Sequence, residues 1–276
     1  MTARILPDIA TNVLKAADDH RATIPAALRK RIEQQIQLID DASSIDLGSV
    51  SVGEALADAI TEGRDPLTDP AVQRAALAKQ LSNMTAFEGL SNAARDRLTA
   101  TLRENIDQLV TVFQKPYADA GQALTDAYAT LTAAGIHDLA SPDIQRASLE
   151  VAAANVTART AITALEQIDL SIGQLIYALG LSNAARTGKT HARFDTGDLS
   201  RAEVEAGQTT RTKVTHWEGV RRGYTISLAT PAETEERVEK ANAAQTRADL
   251  SSQESDQAAM GSAYRFKTPS AAGSLA

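Results

Sequence analysis

Residues 141–180 read SPDIQRASLEVAAANVTARTAITALEQIDLSIGQLIYALG, and the spacing of apolar residues in this run decides the fold class. Every seventh residue from Ile144 gives Ile144, Val151, Ala158, Leu165, Ile172 and Leu179, and every seventh from Ala147 gives Ala147, Ala154, Ala161, Ile168 and Leu175. Two apolar lines three residues apart, each repeating every seven, form the seam of a helix packed lengthwise on another. Ser141 followed by Pro142 predicts an N-cap and first turn, and Gly180 predicts the stop, for a length of about 55 Å at 1.5 Å per residue. Four of the eleven seam positions, Ala147, Ala154, Ala158 and Ala161, are alanine and fall in the first half. The closest approach of a neighbouring helix is therefore expected there, with wider Leu and Ile packing toward Gly180.

A partner for this helix precedes it. From Ser91 to Lys115 the residues Ala94, Leu98, Leu102, Ile106, Leu109 and Phe113 recur at helical steps, and the pattern resumes after Pro116 with Tyr117, Ala120, Leu124, Ala127, Leu131 and Ala134. Pro116 is expected to bend or interrupt this segment. The short link from Gly135 to Ala140 then predicts an antiparallel helical hairpin over about 91–180. Shorter helices are expected at Pro7 to Asp18, Ile24 to Asp41, Val52 to Glu62 and Pro70 to Asn83, with Gly48, Gly63, Pro66 and Pro70 punctuating the connections.

The chain also repeats itself. Gly89-Leu90-Ser91-Asn92-Ala93-Ala94-Arg95 recurs as Gly180-Leu181-Ser182-Asn183-Ala184-Ala185-Arg186, and each copy follows a similar phrase, one opening on Asp69-Pro70 and the other on Ser141-Pro142. A duplication and a helix junction used twice both account for this.

After Arg186 the sequence turns rich in Thr, Gly and Arg. Three short β-like runs, His191 to Phe194, Thr212 to Trp217 and Tyr224 to Ala229, suggest a hairpin through Gly219-Val220-Arg221-Arg222-Gly223. From Pro231 to about Ala259 the pattern suits a weakly amphipathic helix with few large apolar residues, which either docks on a partner or frays. A tail carrying Tyr264, Arg265, Phe266 and Lys267 ends the chain. The fold class is thus mainly α, with a helical domain at 1–186, a small region with short β-like segments at 187–230, and a helix and tail at 231–276.

Composition agrees with close helix packing. Of 276 residues, 43% are hydrophobic but only 4% aromatic, and 52 are alanine, the strongest helix former and the smallest. The absence of cysteine excludes disulfides, thiolate catalysis and Cys-type zinc sites. The longest strongly apolar uncharged stretch, Leu170 to Ala185, is 16 residues and contains Gly, Ser, Gln and Asn, too short and too polar for a bilayer span. A cytoplasmic location is expected, and no membrane. Residues 1–180 hold 23 acidic residues against 15 basic ones, a balance of −8 within the chain's net −7, which disfavours duplex binding by that part.

Site chemistry is sparse. Gly188-Lys189-Thr190 ends like a phosphate-binding loop, but Asn183 stands where that motif needs its first glycine. His20, His137, His191 and His216 form no helical ligand pair, so neither metal nor cofactor is expected, nor catalytic residues. Trp217-Glu218-Gly219 matches the Trp-x-Gly signature of small secreted helical-hairpin proteins, over three residues and outside the helical turn that signature occupies. Trp217 is instead expected to anchor a cluster with Tyr224 and Ile226. Eight basic residues between 186 and 222, interleaved with Phe194, Trp217 and Tyr224, offer an alternative role in binding single-stranded nucleic acid. A cryptic helical enzyme is a further alternative.

In composition and architecture the chain resembles bacteriophage scaffolding and minor virion proteins: Ala- and Gln-rich, acidic, helical and poor in cysteine. That resemblance implies a non-enzymatic structural or assembly protein, incorporated in a virion, that associates with itself and with other structural proteins. The eleven seam residues from Ile144 to Leu179 would then serve self-association or packing, the seam closing either between chains or within one. Trp217, Tyr224 and Tyr264-Arg265-Phe266-Lys267 would dock the partner.

Overall fold

The structure, a computed structural model, describes residues 5–44, 51–83, 86–181, 186–206 and 214–265. It is mainly helical, with eleven α-helices and one two-stranded antiparallel sheet among the described residues. The chain divides into two compact units, Met1–Phe113 with Gln167–Ser182, and Gln114–Glu166 with Asn183–Ala276. The division falls inside the two long helices rather than at residue 186.

The first unit opens with α1 (Leu6–Asp19) and α2 (Ala26–Ser44), close to the expected spans. Arg29 closes their junction with a two-pronged bond to Asp18, Nη1 to Oδ1 at 2.6 Å and Nη2 to Oδ2 at 2.8 Å. Next come α3 (Val52–Thr61) and α4 (Pro70–Asn83), whose Ala55, Ala59, Val72 and Ala75 form a small core of their own. Both starts are capped by sequence: Ser51 and Glu54 form a reciprocal capping box, and buried Asp69 accepts from the Ala71 and Val72 amides while paired with Arg64. Helix α5 (Ala86–Glu104) follows.

The break in the hairpin's first arm lies at Asn105, not at Pro116. Helix α6 (Ile106–Ala133) carries Pro116 in its interior, whereas Asn105 donates its side-chain amide to the Thr101 carbonyl at 2.8 Å. That carbonyl is the acceptor a continuous helix would give to the Asn105 backbone amide, and Asn competes for such groups.

The second arm is shorter than expected. Ser141 caps a single 3-10 turn, Pro142–Arg146, after which Ala147 is extended at ψ 172°. Ser148 accepts from the Val151 amide at 3.3 Å and starts α7 (Leu149–Ala178). Gly180, at φ +69°, stops it, with the Leu181 amide reaching back to the Ile176 carbonyl at 3.0 Å. In the first unit, Arg103 donates to the Leu179 carbonyl at 2.7 Å, so α7 returns to the point where α6 began, as an antiparallel hairpin requires.

The two copies of the repeated heptapeptide behave differently. Gly89 sits within α5, while Gly180 ends α7; Ser182 to Ala185 of the second copy lie outside the described residues. The phrases upstream keep a shared role, since Asp69 and Ser141 each cap the turn that follows. In the first unit α2 and α5 pack closely, where Ser91, Ala94 and Thr101 present small buried side chains and Gln35 donates to Thr101 at 3.0 Å.

In the second unit, the sequence after residue 186 folds as α8 (Arg186–His191), β1 (Phe194–Asp195), α9 (Arg201–Ala206), α10 (His216–Arg221), β2 (Thr225–Ile226) and α11 (Pro231–Arg265). The hairpin expected between Thr212–Trp217 and Tyr224–Ala229 is replaced by a ladder between β1 and β2, with Phe194 opposite Ile226. Thr215 accepts from the Glu218 amide at 3.1 Å and turns His216–Arg221 into a helix, which Gly223 ends at φ +76°. Helices α9 and α11 each start with a further reciprocal box, Ser200 with Glu203 and Thr230 with Glu233. The first turns of α11 dock on α8 and α9 through buried Ala241 and Ala244, and Arg237 bridges the His191 and Ser227 carbonyls at 3.0 and 3.1 Å.

Candidate functional site

The α7 seam is buried within the chain. Val151, Ala158, Ala161 and Leu165 in the second unit, and Ile168, Ile172, Leu175 and Leu179 in the first, are all buried. Ala154 is half-buried, and Ile144 and Ala147 lie before the helix, also half-buried. These residues are core, so the seam serves packing within the chain.

A third line on the same helix is exposed. Leu149, Val156, Leu170 and Tyr177 are 88%, 63%, 62% and 69% exposed, and they repeat every seven residues with Thr163 completing the series. Beside them run Ala153, Thr160, Gln167 and Gln174, again at seven-residue spacing and all exposed and uncharged. A period of seven keeps such a line on one side of a helix about 45 Å long. Four of the ten exposed large hydrophobic side chains among the described residues lie here, while the others are spread over α3, α4, α5, α11, a loop and Ile5 just before α1. Sequence reasoning passed over this line because Thr163 interrupts it.

The expected cluster of Trp217, Tyr224 and Ile226 splits in two. Tyr224 and Ile226 are buried together with Phe194, whose ring meets Tyr224 edge-on at 5.9 Å. Trp217 is half-buried elsewhere, edge-on to Tyr128 at 5.0 Å, and its indole N–H donates to the His137 carbonyl at 3.2 Å. Tyr224 is thus a core residue and not a docking side chain. Tyr264 and Arg265 end α11 with their side chains outside the described residues, as are Phe266 and Lys267 altogether.

A buried polar group that sequence reasoning missed lies beside Phe194. His216 Nε2 stands 2.9 Å from the Tyr117 hydroxyl and 3.0 Å from Arg193 Nη2, and Arg193 Nη1 donates to the Val214 carbonyl at 3.0 Å. Both His216 and Tyr117 are fully enclosed, and the group ties α6, α10 and the ladder together. Gly219 permits this packing: a Cβ there would lie 2.6 Å from Phe194 Cζ and closer still to Cε1. Gly121 on α6 does the same for Ile226, at 2.8 Å. Gly219→Ala is therefore expected to cost about 1–3 kcal/mol through overpacking, read as a lower thermal midpoint, whereas Gly89→Ala, with open space around it, stabilises or leaves the chain unchanged.

His191 is buried as well, with Nδ1 3.4 Å from Thr196 Oγ1. Burial, and then the Arg237 guanidinium, hold its imidazole below the ordinary 6.5, against the pull of Asp195. The unfolded chain then binds this proton more readily than the folded one. The stability contributed is complete above pH about 6.5 and is lost as pH falls from there toward the folded-state value. The thermal midpoint is expected to drop between about pH 7 and 5.5, and to drop less in His191→Gln. Glu218, held below the ordinary carboxylate range chiefly by Arg221, with Arg222 adding to it, acts in a separate, more acidic window.

Among the described residues of the basic stretch, the aromatic rings and several cations are already engaged. Phe194 and Tyr224 are buried, Arg193 lies over the Phe194 ring at 5.6 Å, and Arg221 and Arg222 both pair with Glu218. Among the described residues no cluster of metal-ligating side chains is present, and no helix is long and apolar enough to cross a membrane. Comparison of the chain with protein-family models, curated proteins and solved structures finds no match.

Proposed function

We propose that the chain is a structural or assembly protein that works by packing its helices against other protein chains, in the manner of the phage scaffolding and minor virion proteins its composition resembles. The observation that carries this reading is the exposed line Leu149, Val156, Leu170 and Tyr177 on α7. Exposed apolar side chains at seven-residue spacing match what a second helix needs to lie alongside. The segment at Tyr264 to Lys267 remains the proposed docking element for other structural proteins.

Light scattering after size-exclusion chromatography, across the micromolar range, tests the reading. The wild-type chain is expected to exceed its 29.2 kDa monomer mass with rising concentration, and Leu170→Glu to remain monomeric with unchanged helicity. A wild-type chain that stays monomeric, with no partner chain whose binding Leu170→Glu removes, would overturn the proposal.

A further inference from the structure

We infer that the occupant of the exposed α7 face is the same face of a second copy, running antiparallel about a two-fold axis that passes through Thr163. This rests on the assembly reading above and specifies its geometry.

The line is symmetric about Thr163. Val156 and Leu170 lie seven residues to either side, and Leu149 and Tyr177 lie fourteen. Turning one helix end over end about Thr163 therefore places Val156 against Leu170 and Leu149 against Tyr177, so every large apolar residue meets another. A two-fold contact of this kind is self-complementary and closed, the usual way for identical chains to pair.

The charges choose the same arrangement. On one flank of the line stand Arg159 and Glu166, both exposed, four residues before Thr163 and three after it. These steps are about 6 Å and 4.5 Å along the axis. The two-fold operation brings Arg159 of one copy to the level of Glu166 of the other, on the same side, and does so twice. Parallel pairing in register would instead set Arg159 against Arg159 and Glu166 against Glu166. Arg159 uses one nitrogen on the Leu139 carbonyl, at 2.6 Å, and keeps other N–H donors for a partner. The opposite flank, from Ala153 to Gln174, holds no charge to be stranded in the contact.

The chain has no cysteine, so single introduced thiols report the pairing directly. Helices 8–10 Å apart bring facing Cα atoms to about 4–5 Å, within disulfide reach. Under mild oxidation Thr163→Cys is expected to cross-link to itself. Leu149→Cys should not, but should cross-link when mixed with Tyr177→Cys. Arg159→Glu and Glu166→Arg should each weaken self-association about tenfold, and the double variant should restore it, with thermal melts confirming that all are folded. Self-association that ignores both reversals, or Leu149→Cys linking to itself as readily as Thr163→Cys, overturns the two-fold pairing and leaves the assembly reading in place. A chain that is monomeric throughout overturns the pairing, and overturns the assembly reading too if no other chain needs Leu170.

Discussion

Replacing Phe194 by alanine is expected to lower the stability of the second unit by about 3–5 kcal/mol, the usual cost of removing a fully buried ring. The ring holds more together than its own strand. It meets Tyr224 edge-on at 5.9 Å and His216 at 5.8 Å, carries the Arg193 guanidinium at 5.6 Å, and fills the space that Gly219 leaves open. Its loss would open a cavity next to a half-buried arginine and a buried histidine, and the sheet has only two residue pairs with which to compensate. The sole tryptophan, Trp217, lies on α10 in the same unit and reports unfolding by fluorescence. An unfolding free energy for Phe194→Ala within about 1 kcal/mol of wild type would show that the ladder does not organise this region.

The second large effect separates the two lines of α7. Leu165 is fully buried in the seam and Leu170 is exposed. Leu165→Ala is expected to cost about 3 kcal/mol, whereas Leu170→Ala should fall within about 0.5 kcal/mol when measured on monomeric protein. Chemical denaturation of the two variants at one dilute concentration makes the comparison. Equal effects would mean that the seam is not closed inside the chain.

Most helix boundaries were legible because local chemistry fixes them. Pro70 and Gly180 mark a start and a stop, and the seam's seven-residue spacing finds its buried side chains from Val151 onward. The departures have physical causes that single-residue rules rank poorly. Asn105 breaks the first arm because its amide takes the Thr101 carbonyl, while Pro116 is accommodated within α6. Ser148 displaced Ser141 as the cap of α7 because Ala147 is extended. His216–Arg221 became helical because Thr215 caps it at the Glu218 amide, and the Thr-x-x-Glu spacing there is the same signal as Ser51 with Glu54 and Thr230 with Glu233.

The candidate surface was harder to read than the fold. Periodicity shows that a helix has lines of apolar residues, but it does not say which line the rest of the chain covers. Val151 to Leu179 and Leu149 to Tyr177 share a period, and only the packing of the other elements distinguishes them. The His216, Tyr117 and Arg193 group was out of reach for a different reason. Its members stand as far as 99 positions apart in sequence, and no local pattern marks them.

The most direct measurement is the rate at which a thiol reagent labels Val156→Cys as protein concentration rises, in a chain that otherwise has no cysteine. A pairing face on α7 predicts labelling that slows with concentration at this position, and no change in Leu250→Cys, an exposed control on α11. Labelling of Val156→Cys that stays constant across the range in which the chain self-associates would contradict it.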